Sequence, residues 1–536
     1  MYNQSIESAN FPEIWKISRL VLIEKPKKPS NDEKTYRCLI DDAGKILESL
    51  LKNRITEEMQ LKNLEHPNQY GFTKGKATTD AIQKISEIAS KCKEKSYKNR
   101  DICLRILLDI KNAFDSAPWD GIIDAMEKDG FSLYLVNIIK SYLNSRFIIS
   151  PNGEKIQTTC GVPQGAILGP TLWNIFYNEV INTELGEAVH LVAYADDLAV
   201  IVTAKTKETI IAKSNRATGI IMDKLKNMGI ELATHKTEAI LLACPRKVKD
   251  VTFEIGSNTI TTSKYAKYLG IYLDRNIRMT HVNLTVEKAK KMSSLLYRIM
   301  PRIGGPNARN KRILLSSSVI SATIYGAQIW HKTLKYQHYK NLLTTIHRKL
   351  AILITSACRT EPTVAIEAIS SMIPIDLLVK ARMEIINLGK SHKKKARIKT
   401  MTLWPDRWEQ YNGWSKTFIQ NVTKRKESKL RETNYYSTQA ITGHGVFGSY
   451  LKKIKKQNND DCWFCKAADT PEHTIFDYQK FTELRKEAEE KCNAIINKQN
   501  INEILTKNKA CWKAGTEMLE EIMTIKTEEE RRRERE

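Results

Sequence analysis

Ala193-Tyr194-Ala195-Asp196-Asp197-Leu198 is the stretch on which the reading of this chain turns. Short apolar runs over 189–193 and 198–202 flank it, and that spacing predicts a β-hairpin with Asp196 and Asp197 at its tip. Upstream, Ile102, Leu104, Ile106 and Leu108 alternate, which predicts a strand. That strand runs into Leu107-Leu108-Asp109-Ile110-Lys111-Asn112-Ala113-Phe114-Asp115. In both segments a carboxylate closes an apolar strand, a costly position unless something offsets the charge. Hard divalent cations are the natural offset, and Mg²⁺ favours one or two carboxylates plus substrate phosphates. If the hairpin packs beside the strand, Asp109 and Asp196 could hold two ions, which suits phosphoryl-type chemistry. An Asp in a turn is by itself ordinary turn chemistry, so the signal lies in the combination and its order.

The surrounding composition agrees. The chain has 536 residues, 41% of them hydrophobic, so more than one domain with a real core is expected. Lys and Arg number 86 against 61 Asp and Glu, a formal charge of +25 that suggests a polyanionic partner such as nucleic acid. The ten cysteines form no framework of short loops, so reduced thiols and an intracellular protein are expected. The N-terminus has no apolar signal region, and no stretch approaches the roughly 18 apolar residues of a membrane span.

Working outward, 17–23 is an apolar stretch broken by Ser18 and Arg19, followed by the turn Lys25-Pro26-Lys27-Lys28-Pro29 and a helix over 45–55. Residues 170–185 predict a helix with Leu172, Ile175, Phe176 and Val180 on one side and Pro170 in its first turn. Beyond about 276 the pattern turns helical: Met292, Leu295, Leu296 and Ile299 share a face, and Gly304-Gly305-Pro306 ends that element. Basic runs follow at Lys393-Lys394-Lys395 and Lys424-Arg425-Lys426. Trp404, Trp408 and Trp414 lie between them; stacking on bases is one reading, and a spacing of four favours a packed helix face. Residues 528–536 are of mixed charge and are expected to fray. Gly71-Phe72-Thr73-Lys74-Gly75-Lys76-Ala77 loosely resembles a P-loop, but the glycine spacing is one short and Ala77 lacks the hydroxyl for Mg²⁺.

With these motifs in order, the chain resembles the reverse transcriptase region of non-LTR, LINE-type retrotransposon polyproteins of the jockey-like and rDNA-inserting groups. Phe11-Pro12-Glu13-Ile14-Trp15-Lys16 and Ile23-Glu24-Lys25-Pro26 resemble the first fingers motif, and Tyr36-Arg37-Cys38-Leu39 with Gly44-Lys45-Ile46-Leu47-Glu48 the second. Cys38 stands where the family usually has Pro. Gln69-Tyr70-Gly71-Phe72 with Thr78-Thr79-Asp80-Ala81 resembles the next block, in which Lys76 and Ala77 replace Arg and Ser. Gly161-Val162-Pro163-Gln164-Gly165, Lys236-Thr237-Glu238, Lys267-Tyr268-Leu269-Gly270-Ile271 and Tyr325-Gly326 resemble the template loop, the fourth palm motif, the primer grip and the thumb.

The resemblance implies an α+β right-hand polymerase, an RNA-directed DNA polymerase that adds dNTPs to a primer 3′-hydroxyl on an RNA template by a two-metal mechanism. It implies Asp109, Asp196 and Asp197 as Mg²⁺ carboxylates, with the Ile110 carbonyl as a further ligand. Lys25 and Arg37 would contact the nucleotide triphosphate, Phe114 would gate the sugar, and Gln164 with Gly165 would line the nucleotide site. Lys236 would protonate the leaving pyrophosphate. The implied partners are an RNA template, a DNA primer or target and dNTPs, with no membrane, and the implied location is nuclear, at the integration site.

Cys462-Trp463-Phe464-Cys465 and His473 follow the family's zinc-finger spacing, but Tyr478 takes the place of the fourth ligand, a Cys. Three readings stand: zinc held weakly by Cys462, Cys465 and His473 plus water, zinc recruited through Cys492, or a decayed finger. A missing thiolate favours a weak or absent site.

The expected layout is fingers over 11–105, palm over 106–275, helical thumb over 276–390, a basic linker region over 391–455, a degenerate CCHC-type finger over 456–485 and a helical charged tail over 486–536. The upstream endonuclease of the family is expected to be lacking, as in a truncated copy. The alternative function is a catalytically decayed copy that only binds nucleic acid.

Overall fold

The computed structural model describes residues 1–23, 35–94, 96, 98–275, 279–303 and 309–535. The Lys25–Pro29 turn and Gly304-Gly305-Pro306 lie outside the described residues. The chain divides into two compact units, Met1–Thr280 and His281–Glu536.

The first unit is α+β. Its strands are β1 (Ile17–Ile23), β2 (Thr35–Ile40), β3 (Ile102–Leu108), β4 (Arg146–Ile149), β5 (Lys155–Thr158), β6 (Val189–Tyr194), β7 (Asp197–Ala204), β8 (Glu238–Ala243), β9 (Thr252–Ile255), β10 (Asn258–Thr261), β11 (Tyr265–Tyr268) and β12 (Ile271–Asp274). They build one sheet of order β2-β1-β4-β5, another of order β6-β7-β3-β8, and the two hairpins β9–β10 and β11–β12. In the second sheet every pairing is antiparallel.

The expected strand over Ile102–Leu108 is central there, between β7 and β8. Its alternation therefore does not separate core from solvent. Ile102, Leu104, Ile106 and Leu108 join the main core, while Cys103 and Arg105 on the opposite face are buried too. The helix Gly169–Ile181 begins with Pro170 in its first turn and buries Leu172, Trp173, Ile175, Phe176 and Val180 in the same core. Pro suits that position because the first N–H groups of a helix have no internal partner.

The second unit is helical. One core gathers Val282, Val286 and Ala289 with Val319, Trp330, Leu343, Ile346 and Leu350. A second core joins Trp404, Trp408, Phe418, Ile441, Phe447, Tyr478, Leu519 and Ile522. This corrects the expectation of a basic linker over 391–455. Residues Lys393–Glu409 form a helix whose Ala396, Thr400, Trp404 and Trp408, four apart, share one buried face. The lysines occupy the other face, so a basic run is here the solvated side of a packed helix. Trp408 donates from Nε1 to the Ile419 carbonyl (2.9 Å), and Trp414 from Nε1 to the Ala440 carbonyl (2.8 Å).

The C-terminal expectation is corrected as well. The helix Lys509–Arg533 continues through most of the segment expected to fray, with Lys526, Thr527 and Glu530 buried. Among the described residues no single helix is long and apolar enough to cross a membrane.

Candidate active site

The turn between β6 and β7 is set by sequence and by what lies beneath it. Tyr194 and Asp197 are the last register pair, and Ala195 takes a left-handed φ of 57°. A neighbouring segment holds this strained turn. Ala193 donates its N–H to the Asn68 carbonyl (2.9 Å), and Tyr70 donates to the Ala193 carbonyl (2.8 Å). The buried Gln69 side chain accepts from both the Gly71 N–H (2.9 Å) and the Ala195 N–H (3.2 Å). Gly71 approaches so closely that a Cβ there would lie 2.0 Å from the Ala195 nitrogen. Asn174 fixes Gly71 from the other side, donating to its carbonyl (2.9 Å). The Gln69-Tyr70-Gly71-Phe72 block is thus the seat of the turn.

β3 delivers the third carboxylate. Leu108 is registered with Leu198, and continuing that register brings Asp109 opposite Asp197. The chain beyond β3 is held by a short antiparallel contact: Lys111 donates to the Glu231 carbonyl (2.9 Å), and Ala233 donates to the Asp109 carbonyl (2.8 Å). Lys236 follows on that partner segment and places Nζ 3.2 Å from Asp109 Oδ2. Asp109, Asp196, Asp197 and Lys236 therefore meet at one end of the sheet.

Their electrostatics are unfavourable without a further cation. Burial raises the Asp196 carboxyl, and Asp109 adds to the effect. Burial, then Asp196 and Asp109, push Asp197 up to about 6, against the pull of Arg105. The carboxylates ring an open sheet end rather than a single point, since among the described residues only Cys462, Cys465 and His473 bring three ligand atoms within 4.8 Å. Hard oxygen donors in such an arrangement fit divalent ions that take the rest of their ligands from substrate phosphates.

Arg105 is a site residue that the motifs did not reveal. It is fully buried in β3, two residues before Leu107 and four before Asp109, on their face of the sheet. None of its guanidinium nitrogens has a hydrogen-bond partner, and the guanidinium lies over the Tyr268 ring at 5.3 Å. Burial lowers its pKa to about 10, while Tyr268, Glu238 and Asp197 favour the charged form. The available sequence signal was one charged residue inside an otherwise apolar strand.

The residues expected at the nucleotide site also lie in this unit. Phe114 packs its ring edge-on to Phe72 (5.9 Å between centroids) and beside Trp173 (5.3 Å). Val162 donates to the Phe114 carbonyl and Gly161 to the Ala117 carbonyl, both at 2.8 Å. Gly161 is required, because its φ is 82° and a Cβ would lie 2.5 Å from the Asp115 carbonyl oxygen. Gln164 donates from Nε2 to Asp115 Oδ2 (3.3 Å), and Gly165 follows with φ 119°. The loop's end is capped by Glu48, whose Oε2 accepts from the Ile167 (2.5 Å) and Leu168 (3.3 Å) N–H groups. A cavity of about 270 Å³ opens here, lined by Ser18, Asp115, Arg146, Thr158, Gly161 and Gln164. Ile110 is buried beside the carboxylates. Lys25 lies outside the described residues, as does the Arg37 side chain, whose backbone belongs to β2.

The C-terminal cysteines form a second cluster. Cys465 Sγ and His473 Nε2 are 3.3 Å apart, and the Cys462 thiol completes the group within 4.8 Å. The Tyr478 ring lies 5.6 Å from that of His473, and its buried hydroxyl has no partner. Cys492 instead faces Cys511, its thiol 4.0 Å from the Cys511 carbonyl. The cluster rests on buried Asp469, which accepts from the Gly448 N–H (2.7 Å) and the Thr474 hydroxyl (2.7 Å) and pairs with the Lys526 ammonium.

Antiparallel carboxylate-bearing strands with a glycine-dependent loop beside them thus make up the candidate site of the first unit. Residues 23–273 match the family described as reverse transcriptase (RNA-dependent DNA polymerase). The chain is 23% identical over 519 residues to the Retrovirus-related Pol polyprotein from type-1 retrotransposable element R1 of Bradysia coprophila, covering 90% of this chain and 50% of that protein. It is 29% identical over 293 residues to the RNA-directed DNA polymerase from mobile element jockey of Drosophila funebris, covering 52% of this chain and 31% of that protein. The chain spans about half the length or less of these curated relatives. Among solved structures, apo telomerase from Candida tropicalis aligns at 11% identity with a TM-score of 0.41, covering 73% of this chain and 67% of that one.

Proposed function

We propose that this protein is an RNA-directed DNA polymerase of a non-LTR retrotransposon, extending a primer 3′-hydroxyl with dNTPs on an RNA template. The observation that carries the reading is the meeting of Asp109 with the Asp196-Asp197 turn at one end of an antiparallel sheet. Mg²⁺ ions held by Asp109, Asp196 and Asp197 would supply Lewis-acid activation of the attacking hydroxyl and charge stabilisation for the departing pyrophosphate.

The chain's own groups do the rest. Lys236, paired with Asp109, would hand a proton to the leaving phosphate. Phe114, braced by Phe72 and Trp173, would be the rigid aromatic gate against a ribose 2′-hydroxyl. Gln164 and Gly165 would line the nucleotide site, and Lys25 with Arg37 would meet the triphosphate. At the second cluster, zinc would take Cys462, Cys465 and His473 and leave its fourth position to water, because neutral tyrosine is a poor ligand.

The test is primer extension on poly(rA)/oligo(dT) with Mg²⁺, beside Asp196→Asn. Extension by the native protein and none by the variant supports the reading. No extension by either, with template binding retained, makes the protein a nucleic-acid binder without chemistry.

A further inference from the structure

The second unit buries positive charge that no ion pair among its described residues neutralises, although the Arg425 guanidinium lies over the Trp512 ring at 4.9 Å. Arg309 and Arg425 are 2% and 8% exposed, and beside them Lys426 and Arg431 are half-buried. All four donate to main-chain carbonyls. Arg309 donates to those of Ser370 and Ile369, Lys426 to that of Ser371 (2.7 Å), Arg425 to those of Leu430 (3.4 Å) and Arg431 (3.3 Å), and Arg431 to that of Lys426. Among the described residues no carboxylate forms an ion pair with any of them.

Donor capacity is left over. Nε and Nη1 of Arg309, Nε of Arg425 and the hydroxyls of Ser371 and Thr433 are buried without partners. The carbonyls of Ile369, Ser370 and Ser371 end the helix Thr363–Ser370. A helix C-terminus carries only about half a negative charge, far short of four full cations. The cations lower one another's pKa beyond what burial does: Arg309 falls to about 10, Arg425 to about 9 and Lys426 to about 8. Exposed Glu432 is the one carboxylate that opposes this at Arg309.

We propose that Arg309, Arg425, Lys426 and Arg431, with the Ser371 hydroxyl, form a phosphate site that takes a backbone phosphodiester of a nucleic-acid strand. Arginine forks match phosphate oxygens in pairs, and Lys426 adds a point charge at the rim. The two buried arginines anchor the site, the two half-buried cations form its mouth, and exposed Arg397, within electrostatic reach of Lys426, extends the charge outward. The choice of nucleic acid over another phosphate rests on the polymerase reading. The test reads binding alone, so the two can fail separately.

The experiment measures binding of a short single-stranded RNA by the full chain across a salt series. Lys426→Gln/Arg431→Gln removes the mouth and leaves the buried anchors. Lys509→Gln/Lys513→Gln removes the same charge from the exposed side of the C-terminal helix. Thermal melting verifies that each variant folds. The mouth variant is expected to bind about tenfold more weakly and to lose about 0.7 from the log–log salt slope for each phosphate released. The charge-matched variant should stay near the native values, and Lys426→Arg/Arg431→Lys should retain binding. Equal losses in the mouth and control variants overturn the proposal. So does inorganic phosphate raising the melting temperature at matched ionic strength while RNA affinity is unchanged by the mouth variant, which would assign the site to free phosphate.

Discussion

Gly71→Ala tests whether the Gln69-Gly71 segment seats the Asp196-Asp197 turn. The substitution adds one methyl group outside the carboxylates themselves. That methyl carbon would lie 2.0 Å from the Ala195 nitrogen and 2.8 Å from its Cα. Both are backbone atoms, so no side chain can swing aside. Restoring an ordinary contact needs the turn and the Gly71 segment to separate by about 1.4 Å, and misplacement of about 1 Å costs about a hundredfold in rate. Overpacking of this kind costs about 1–3 kcal/mol in stability, and the Gln69 hydrogen bonds to Gly71 and Ala195 would lengthen. The assay is single-turnover primer extension with a thermal melt of the same sample. The expected result is a folded, template-binding protein with a rate down by about two orders of magnitude. A folded variant within a few-fold of the native rate would refute the claim that the turn's position depends on this contact.

Three further outcomes follow from packing and charge. Phe114→Ala should admit ribonucleotides, read as the ratio of rNTP to dNTP incorporation; unchanged sugar discrimination would remove Phe114 from the gate. Lys526→Met leaves Asp469 buried without its cation under the Cys462 cluster and should cost about 3–5 kcal/mol in a denaturant melt; a change below about 1 kcal/mol would mean the pair adds little. Glu361 is raised to about 8 chiefly by burial, with Arg348 and Lys453 opposing, and His444, 3.0 Å away, is lowered to about 4 by burial and Lys453. The Glu361 contribution is lost as pH rises from 4.5 to about 8, and that of His444 as pH falls from 6.5 to about 4. The two cancel between 4.5 and 6.5, so native stability should be flat there and fall by about 2 kcal/mol from 6.5 to 8. Glu361→Gln should abolish that fall, and an unchanged profile would refute the assignment.

The carboxylate-bearing strands were legible because their signal is local. Apolar runs of fixed length, interrupted by carboxylates that burial disfavours, can be read without knowing what packs against them. The helix Gly169–Ile181 was legible for the same reason, from its apolar face and its early proline. The 391–455 stretch was misjudged because a basic run looks alike on a linker and on the solvated face of a packed helix. Only the partners of Trp404 and Trp408 distinguish the two, and those partners come from segments up to about a hundred residues further along the chain.

Arg105 was missed, and Gly71 was legible only as part of a motif block, for a deeper reason: each acts across a contact that no sequence window contains. Gly71 matters through Ala195, and Arg105 through Tyr268 and Asp197. A charged residue inside an apolar strand breaks the local pattern, and such breaks concentrate where function outweighs stability. The structure gives that break a physical content. An arginine with no hydrogen-bond partner is retained in the centre of the sheet, where hydrophobic side chains of similar volume are often at least as stable as buried charge. Its charge favours an ionised Asp197 while Asp196 and Asp109 oppose it. Arg105 therefore belongs with the carboxylates as part of one electrostatic unit. That unit spans β3, the β6–β7 turn and the β11–β12 hairpin, three segments the sequence presents as separate motifs.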